Sequence, residues 1–256
     1  MYGRILLFRV EPYWDWNRWY DSSCLMDNPF YEFKKLREWD CHLCEDITQF
    51  KKLSDIKDEL IVERYIRNEI PIIIGSDMMR ADIEKWPIAR HDFALSHIQN
   101  IYDENDWKNV CLFKTNLKVN DHLSLLNKLK SNQYSNIGWE NCNSKTEKQL
   151  RKYYNRPQMI PPMLEMTMGN WILISYNYMI DPSPGTQVLL MIQIRGQNRI
   201  KAEAKHYCAD KGCQQFEDIL KENEILIISA RLWNLSYIPI KANNSGIALI
   251  IGAKYN

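Results

Sequence analysis

Residues 171–200 read WILISYNYMIDPSPGTQVLLMIQIRGQNRI, and they set the architecture for the rest of the chain. Two apolar runs flank a turn segment rich in Pro and Gly. The first is Trp171-Ile172-Leu173-Ile174, and the second covers 188–194. Both are dominated by Ile, Leu and Val and bounded by turn residues, the pattern of buried strands. The second run closes on Gln193-Ile194-Arg195-Gly196. Further on, Asn223-Glu224-Ile225-Leu226-Ile227-Ile228 leads into Arg231-Leu232-Trp233-Asn234, and a third apolar run covers 247–251.

The totals exclude several classes. Lys plus Arg number 33 and Asp plus Glu 32, so no global field argues for nucleic acid or an anionic surface. The 256 residues allow one large domain or two small ones. No apolar run approaches the ~20 residues of a membrane span. The apolar stretch at 5–8, between Arg4 and Arg9, is too short for a signal-peptide core and lacks a small-residue cleavage site. Nine Trp, fourteen Tyr and seven Phe are enough to fill a sizeable core. No Gly-x-Ser-x-Gly, Gly-rich phosphate loop or His-Glu-x-x-His occurs.

The N-terminal part is read as an arm over 1–54 and the remainder, 55–256, as one domain. Residues 11–23 carry Trp14, Trp16 and Trp19, read as an arm packed over the core, with a partner-binding patch as the alternative. Asn28-Pro29 signals a helix start, running to about Trp39. Ser54 caps a second expected helix through Ile66. Pro71-Ile72-Ile73-Ile74-Gly75 and Val110-Cys111-Leu112-Phe113 read as short strands, and 121–129 and 145–154 as helices.

Seven cysteines include two close pairs, Cys41-His42-Leu43-Cys44 and Cys208-x4-Cys213, while Cys24, Cys111 and Cys142 stand alone. Zinc needs two further ligands for a Cys-x-x-Cys, and no second Cys-x-x-Cys or His-x3-5-His appears. Disulfides within one or both close pairs are favoured over zinc, with free buried thiols as the other reading. Cys208 and Cys213 are expected to lie close enough to bridge each other. Disulfides tilt the compartment towards the secretory or endomembrane lumen. The triplets Asn234-Leu-Ser and Asn243-Asn-Ser are glycosylation acceptors if the chain is secreted.

Taken in order, these pieces resemble the C-terminal half of a JmjC-type cupin, the fold of iron- and 2-oxoglutarate-dependent oxygenases. The resemblance is to the invertebrate phosphatidylserine-receptor-like branch. In that family a His-x-Asp lies on the first strand pair, Gln-φ-x-Gly-x-Lys follows, and Trp-Trp/Tyr-His precedes the last strand (φ is apolar). Gln193-Ile194-Arg195-Gly196 matches, Asn223-Glu224-Ile225-Leu226-Ile227 nearly matches, and Arg231-Leu232-Trp233-Asn234 matches except at its end. Trp139-Glu-Asn-Cys142 and Asn155-Arg-Pro157 extend the likeness upstream. The resemblance implies a mainly β, α+β fold: a double-stranded β-helix (cupin or jelly-roll) core with N-terminal helices. Strands are then expected over 171–175, 187–195, 224–229 and 246–252, in one two-sheet sandwich.

The ligand set that the resemblance calls for is missing. The five histidines are His42, His91, His97, His122 and His206, so no His-x-Asp exists on the first strand pair. Counted back from Gly196, its positions fall on Met179-Ile-Asp181, Asp181-Pro-Ser183 or Ser183-Pro-Gly185. The first is preferred because it keeps a carboxylate at the third position, and its Met179 offers a thioether, a poor donor for hard Fe(II). The second histidine falls on Asn234. The lysine that would pair with 2-oxoglutarate falls on Asn198, beside Arg199, and neighbours on a strand point to opposite faces. Met179, Asp181 and Asn234 are expected to line the barrel mouth without holding iron. The bland readings are a turn residue at Asp181, a polar strand residue at Asn234 and a surface loop residue at His206.

The expectation is a cupin domain that has lost Fe(II) and 2-oxoglutarate and serves as a binding or structural module for a protein partner. The alternative is an active protein hydroxylase or demethylase using an altered site at Asp181, Asn234 and Arg199.

Overall fold

The structure, a computed structural model, describes residues 38–54, 61–75, 85–86, 110–115, 118, 124, 137–141, 148, 150–157, 160, 164–174, 178–180, 186–240 and 246–255. The chain divides into two compact units, Met1–Lys35 and Leu36–Asn256, and all the described residues belong to the second. The aromatic segment at 11–23, Asp181, His91, His97 and His122 lie outside the described residues, as do most of the helices expected over 28–39 and 121–129.

The described part is mainly β. Its strands are β1 (Lys51–Leu53), β2 (Ile72–Ile74), β3 (Val110–Thr115), β4 (Ile137–Asn141), β5 (Leu164–Ile174), β6 (Tyr178–Ile180), β7 (Val188–Arg195), β8 (Asn198–Ala204), β9 (Phe216–Leu220), β10 (Ile225–Ser229), β11 (Trp233–Pro239) and β12 (Ile247–Tyr255). They form two sheets. The larger has the order β1-β2-β10-β7-β12-β5-β4-β3, the smaller β6-β11-β8-β9. The four strand ranges expected from the apolar runs correspond to β5, β7, β10 and β12. The first starts earlier than expected, because Leu164 and Met166 continue the pairing with the end of β12.

Why β7 is apolar at nearly every position follows from its place. It lies between β10 and β12, and both of its faces are covered. Val188, Leu190, Ile192 and Ile194 pack with Ile61, Ile66, Trp86, Leu150, Tyr154 and Ile160 on one side of the larger sheet. Leu189 and Met191 pack on the other side with Ile200, Ala202, Trp233, Leu235 and Tyr237 of the smaller sheet. A strand buried on both faces loses the polar alternation of a half-exposed one. Each such side chain contributes about 1.5–3 kcal/mol relative to exposure.

The helical elements are short. A tight 3₁₀ turn covers Glu38–Leu43 and a wide π-type turn covers Val62–Ile66, where the second helix was expected to end. The helix α1 (His206–Ala209) follows β8. Residues 38–54, assigned to the arm from the sequence, supply β1, which pairs in parallel with β2.

The chain also crosses here through two disulfides, Cys41–Cys208 and Cys44–Cys213, each with Cα atoms 5.2 Å apart. The expected bridge between Cys208 and Cys213 is not formed; each joins a cysteine of the 41–44 pair instead. All four expected cysteines are bridged, but across the two pairs. The reason is topological. The 3₁₀ turn is laid against the loop after β8, so the nearest sulfur to each cysteine comes from the other pair.

Candidate functional site

The space between the two sheets is where the resemblance puts a site, and alternation along the smaller sheet decides which side chains reach it. On β8, Asn198, Ile200, Ala202 and Ala204 are buried, while Arg199 is exposed and Lys201 and Glu203 are partly exposed. On β11, Trp233, Leu235 and Tyr237 are buried, while Asn234, Ser236 and Ile238 are half-buried. Register ties the two strands together: Trp233 lies opposite Ala204, Leu235 opposite Ala202, Tyr237 opposite Ile200 and Asn234 opposite Glu203. Directly opposed residues share a face. Asn234 therefore shares the outward face with Glu203, whose carboxylate pairs with Lys201. The expectation that Asn234 lines the barrel mouth is corrected by this register. Met179 lies opposite Ser236 in the backbone pairing of β6 and β11. Among the described residues, with Cys41, Cys44, Cys208 and Cys213 bridged, no group of three or more His, Cys, Asp or Glu is set to hold a metal ion. His206 is exposed, at the start of the helix α1 and not in a loop.

Asn198 and Arg199 behave as strand neighbours must. Asn198 is completely buried and faces inward. Arg199 points outward, with a side chain half exposed and its guanidinium 3.9 Å from Glu217. The cation beside Asn198 in the chain is thus turned away from the interior.

The inward position is built as follows. Asn198 Nδ2 donates to the Tyr237 hydroxyl, and both side chains are fully buried. Gln193, at the end of β7, is also fully buried, and its Nε2 donates to the Arg195 carbonyl at 2.7 Å. That bond holds the β7–β8 turn, in which Gly196 takes φ +68°, a conformation that favours glycine. The Gly196 amide donates to Glu222 at 2.8 Å. Gln193 and Gly196 therefore do structural work at this turn. Gly246 closes over Asn198: a Cβ there would lie 2.4 Å from Asn198 Nδ2.

The electrostatics of this cluster are those of an uncharged, acceptor-rich site. Burial pushes the Tyr237 hydroxyl well above its ordinary pKa, and the neighbouring Gln193 amide only partly offsets this. Gln193 Oε1 and Asn198 Oδ1 are buried without a hydrogen-bond partner, and so is the indole N–H of Trp171 on β5. Among the described residues, the inward side chains at this end therefore present two carbonyl oxygens without partners, and Arg199, beside Asn198, faces outward.

The opposite end of the same space is apolar and covalently closed. Trp233 packs edge-on against Phe216, with ring centroids 5.1 Å apart, and Phe216 against Phe50 at 4.8 Å. The Trp233 indole N–H donates to the Glu69 carbonyl at 3.2 Å. Glu69 has φ 59° and its carboxylate lies 3.6 Å from Arg231. The two disulfides sit beyond Trp233 and Phe216 on the loop from β8 to β9. Sequence reasoning missed Tyr237 and Gly246. Tyr237 was visible as the third member of the alternating series Trp233, Leu235, Tyr237; nothing in the sequence marked Gly246. No protein-family model matches this chain, and no curated protein matches it in sequence.

Proposed function

We propose that this chain is a JmjC-like cupin, a double-stranded β-helix, that binds neither Fe(II) nor 2-oxoglutarate and acts as a binding or structural module for a protein partner. The winding supports the fold. From β5 onwards the chain passes back and forth between the sheets, giving the orders β10-β7-β12-β5 and β6-β11-β8-β9. Jelly rolls close two sheets over one core in this way. The observation that carries the loss of activity is the inward Asn198–Tyr237 pair. It puts an amide and a neutral phenol where the resemblance calls for a lysine, while Arg199 faces solvent. The two disulfides favour an oxidising compartment as its place of work.

Thermal unfolding tests this reading. A ligand of the native state raises Tm by mass action when present well above its Kd. Anaerobic Fe(II) with 2-oxoglutarate is expected to leave Tm unchanged, and purified protein to carry no iron by mass spectrometry. An upward shift abolished by Asp181→Ala would replace the proposal with a working oxygenase.

A further inference from the structure

The four bridged cysteines form one cluster with two kinds of spacing. Cys41, on the 3₁₀ turn, and Cys44, just after it, are separated by two residues, and Cys208, on α1, and Cys213, on the loop to β9, by four. Cys44 Sγ and Cys213 Sγ lie 3.2 and 3.3 Å from the Cys41 carbonyl oxygen, and Cys41 is itself bonded to Cys208. All four residues are at most 7% exposed. Two buried bridges thus lie side by side at the Cys41 backbone and join two chain segments more than 160 residues apart. Both spacings belong to the range of structural zinc sites, which take two ligands from each of two short segments.

We infer that the reduced protein binds one Zn²⁺ through the thiolates of Cys41, Cys44, Cys208 and Cys213. The sequence alone offered no second Cys-x-x-Cys; the fold supplies the missing ligands from the Cys-x4-Cys. Geometry permits the exchange. Zinc–sulfur bonds of about 2.3 Å in a tetrahedron put sulfurs about 3.8 Å apart. Cα separations of 5.2 Å reach that distance by side-chain rotation with little movement of the backbone. The chemistry balances in two steps. A dithiol reductant supplies two electrons and two protons to each disulfide and is itself oxidised to a disulfide. Zn²⁺ then displaces the four thiol protons and leaves a tetrathiolate site of charge −2. The consequence is a clamp that closes in either redox state, by disulfides under oxidising conditions and by zinc under reducing ones.

The test uses the full chain, reduced anaerobically and desalted, then loaded with zinc or with cobalt(II) as a spectroscopic stand-in. The expected result is one zinc per chain, thiolate-to-cobalt charge-transfer bands with tetrahedral d–d bands, and a Tm above that of the reduced metal-free chain. Cys24→Ser/Cys111→Ser/Cys142→Ser should keep the metal, Cys208→Ser/Cys213→Ser should lose it, and the oxidised protein should take none. Failure of the reduced wild-type chain to retain zinc overturns the inference without any variant having to fold. Equal retention by the Cys208→Ser/Cys213→Ser chain, or an octahedral cobalt spectrum, overturns it as well.

Discussion

The two ends of the space between the sheets are closed by different chemistry. At one end Trp233, Phe216 and Phe50 stack edge to face beneath two disulfides. At the other, Gln193, Asn198 and Tyr237 form a buried polar group capped by Gly246, with two carbonyl oxygens left unpaired. The first end is redundant in its stabilisation: covalent bonds, aromatic packing and a hydrogen bond act together. The second has little in reserve, since buried polar groups are costly when imperfectly paired.

The largest test is to open the stapled end. The two bridges close nearly the same long loop, spanning separations of 167 and 169 residues. Removing either leaves the other in place, so Cys41→Ser/Cys208→Ser should cost about 3 kcal/mol, the value of a short ring. Replacing all four cysteines should cost about 5 kcal/mol more, since the long loop is then released. Urea denaturation would read both steps. Equal, additive losses would mean that native strain rather than loop closure governs this end.

Trp233→Ala comes next. Loss of a fully buried Trp costs about 3–5 kcal/mol, and the Glu69 carbonyl loses its donor as well. A loss under about 1 kcal/mol would show that the disulfides alone hold this end closed.

At the polar end, Tyr237→Phe removes the acceptor of the Asn198 amide and should cost about 1–3 kcal/mol at neutral pH. The sign of its pH dependence follows from burial. The folded hydroxyl keeps its proton above the ordinary tyrosine pKa of about 10, whereas the unfolded one releases it. Its contribution is therefore fully present below about pH 10 and falls as pH rises further. The Tyr237→Phe chain should show a shallower alkaline loss of stability than the wild type. Gly246→Ala drives a methyl into the Asn198 amide and should cost a similar 1–3 kcal/mol. A neutral Gly246→Ala would mean that this end has room after all.

Arg199→Ala is the smallest. An exposed pair at 3.9 Å is worth under about 1 kcal/mol, so stability should change by less than about 0.5 kcal/mol. A larger effect would place Arg199 in the interior and weaken the contrast between the two ends.

The apolar runs that fall in β7, β10 and β12 were legible because each lies in the larger sheet with both faces covered, and such strands read as unbroken Ile, Leu and Val. β6, β9 and β4 were not. Tyr178–Ile180 is three residues long, and Phe216–Leu220, on an edge, is interrupted by the adjacent acidic residues Glu217 and Asp218. The pairing of the cysteines was hidden for a different reason. Spacing along the chain says which thiols are neighbours in sequence, and the fold laid one close pair against the other. Asn198 and Arg199 were legible as an opposed pair from strand periodicity alone. Asn234 was not, since its face depends on a register that the recognised motif does not encode.

The position of β12 bears on how the protein comes into being. Ile247–Tyr255 lies between β5 and β7, hydrogen-bonded to both. Until those residues are made, the larger sheet exists as two separate halves with open edges between them. Strand pairing of this kind, across long stretches of chain, forms slowly and leaves edges exposed to aggregation meanwhile. A ribosome-bound chain that stops short of residue 247 should therefore remain a chaperone client, and cooperative protection of β5 and β7 should appear only once the last strand has been released.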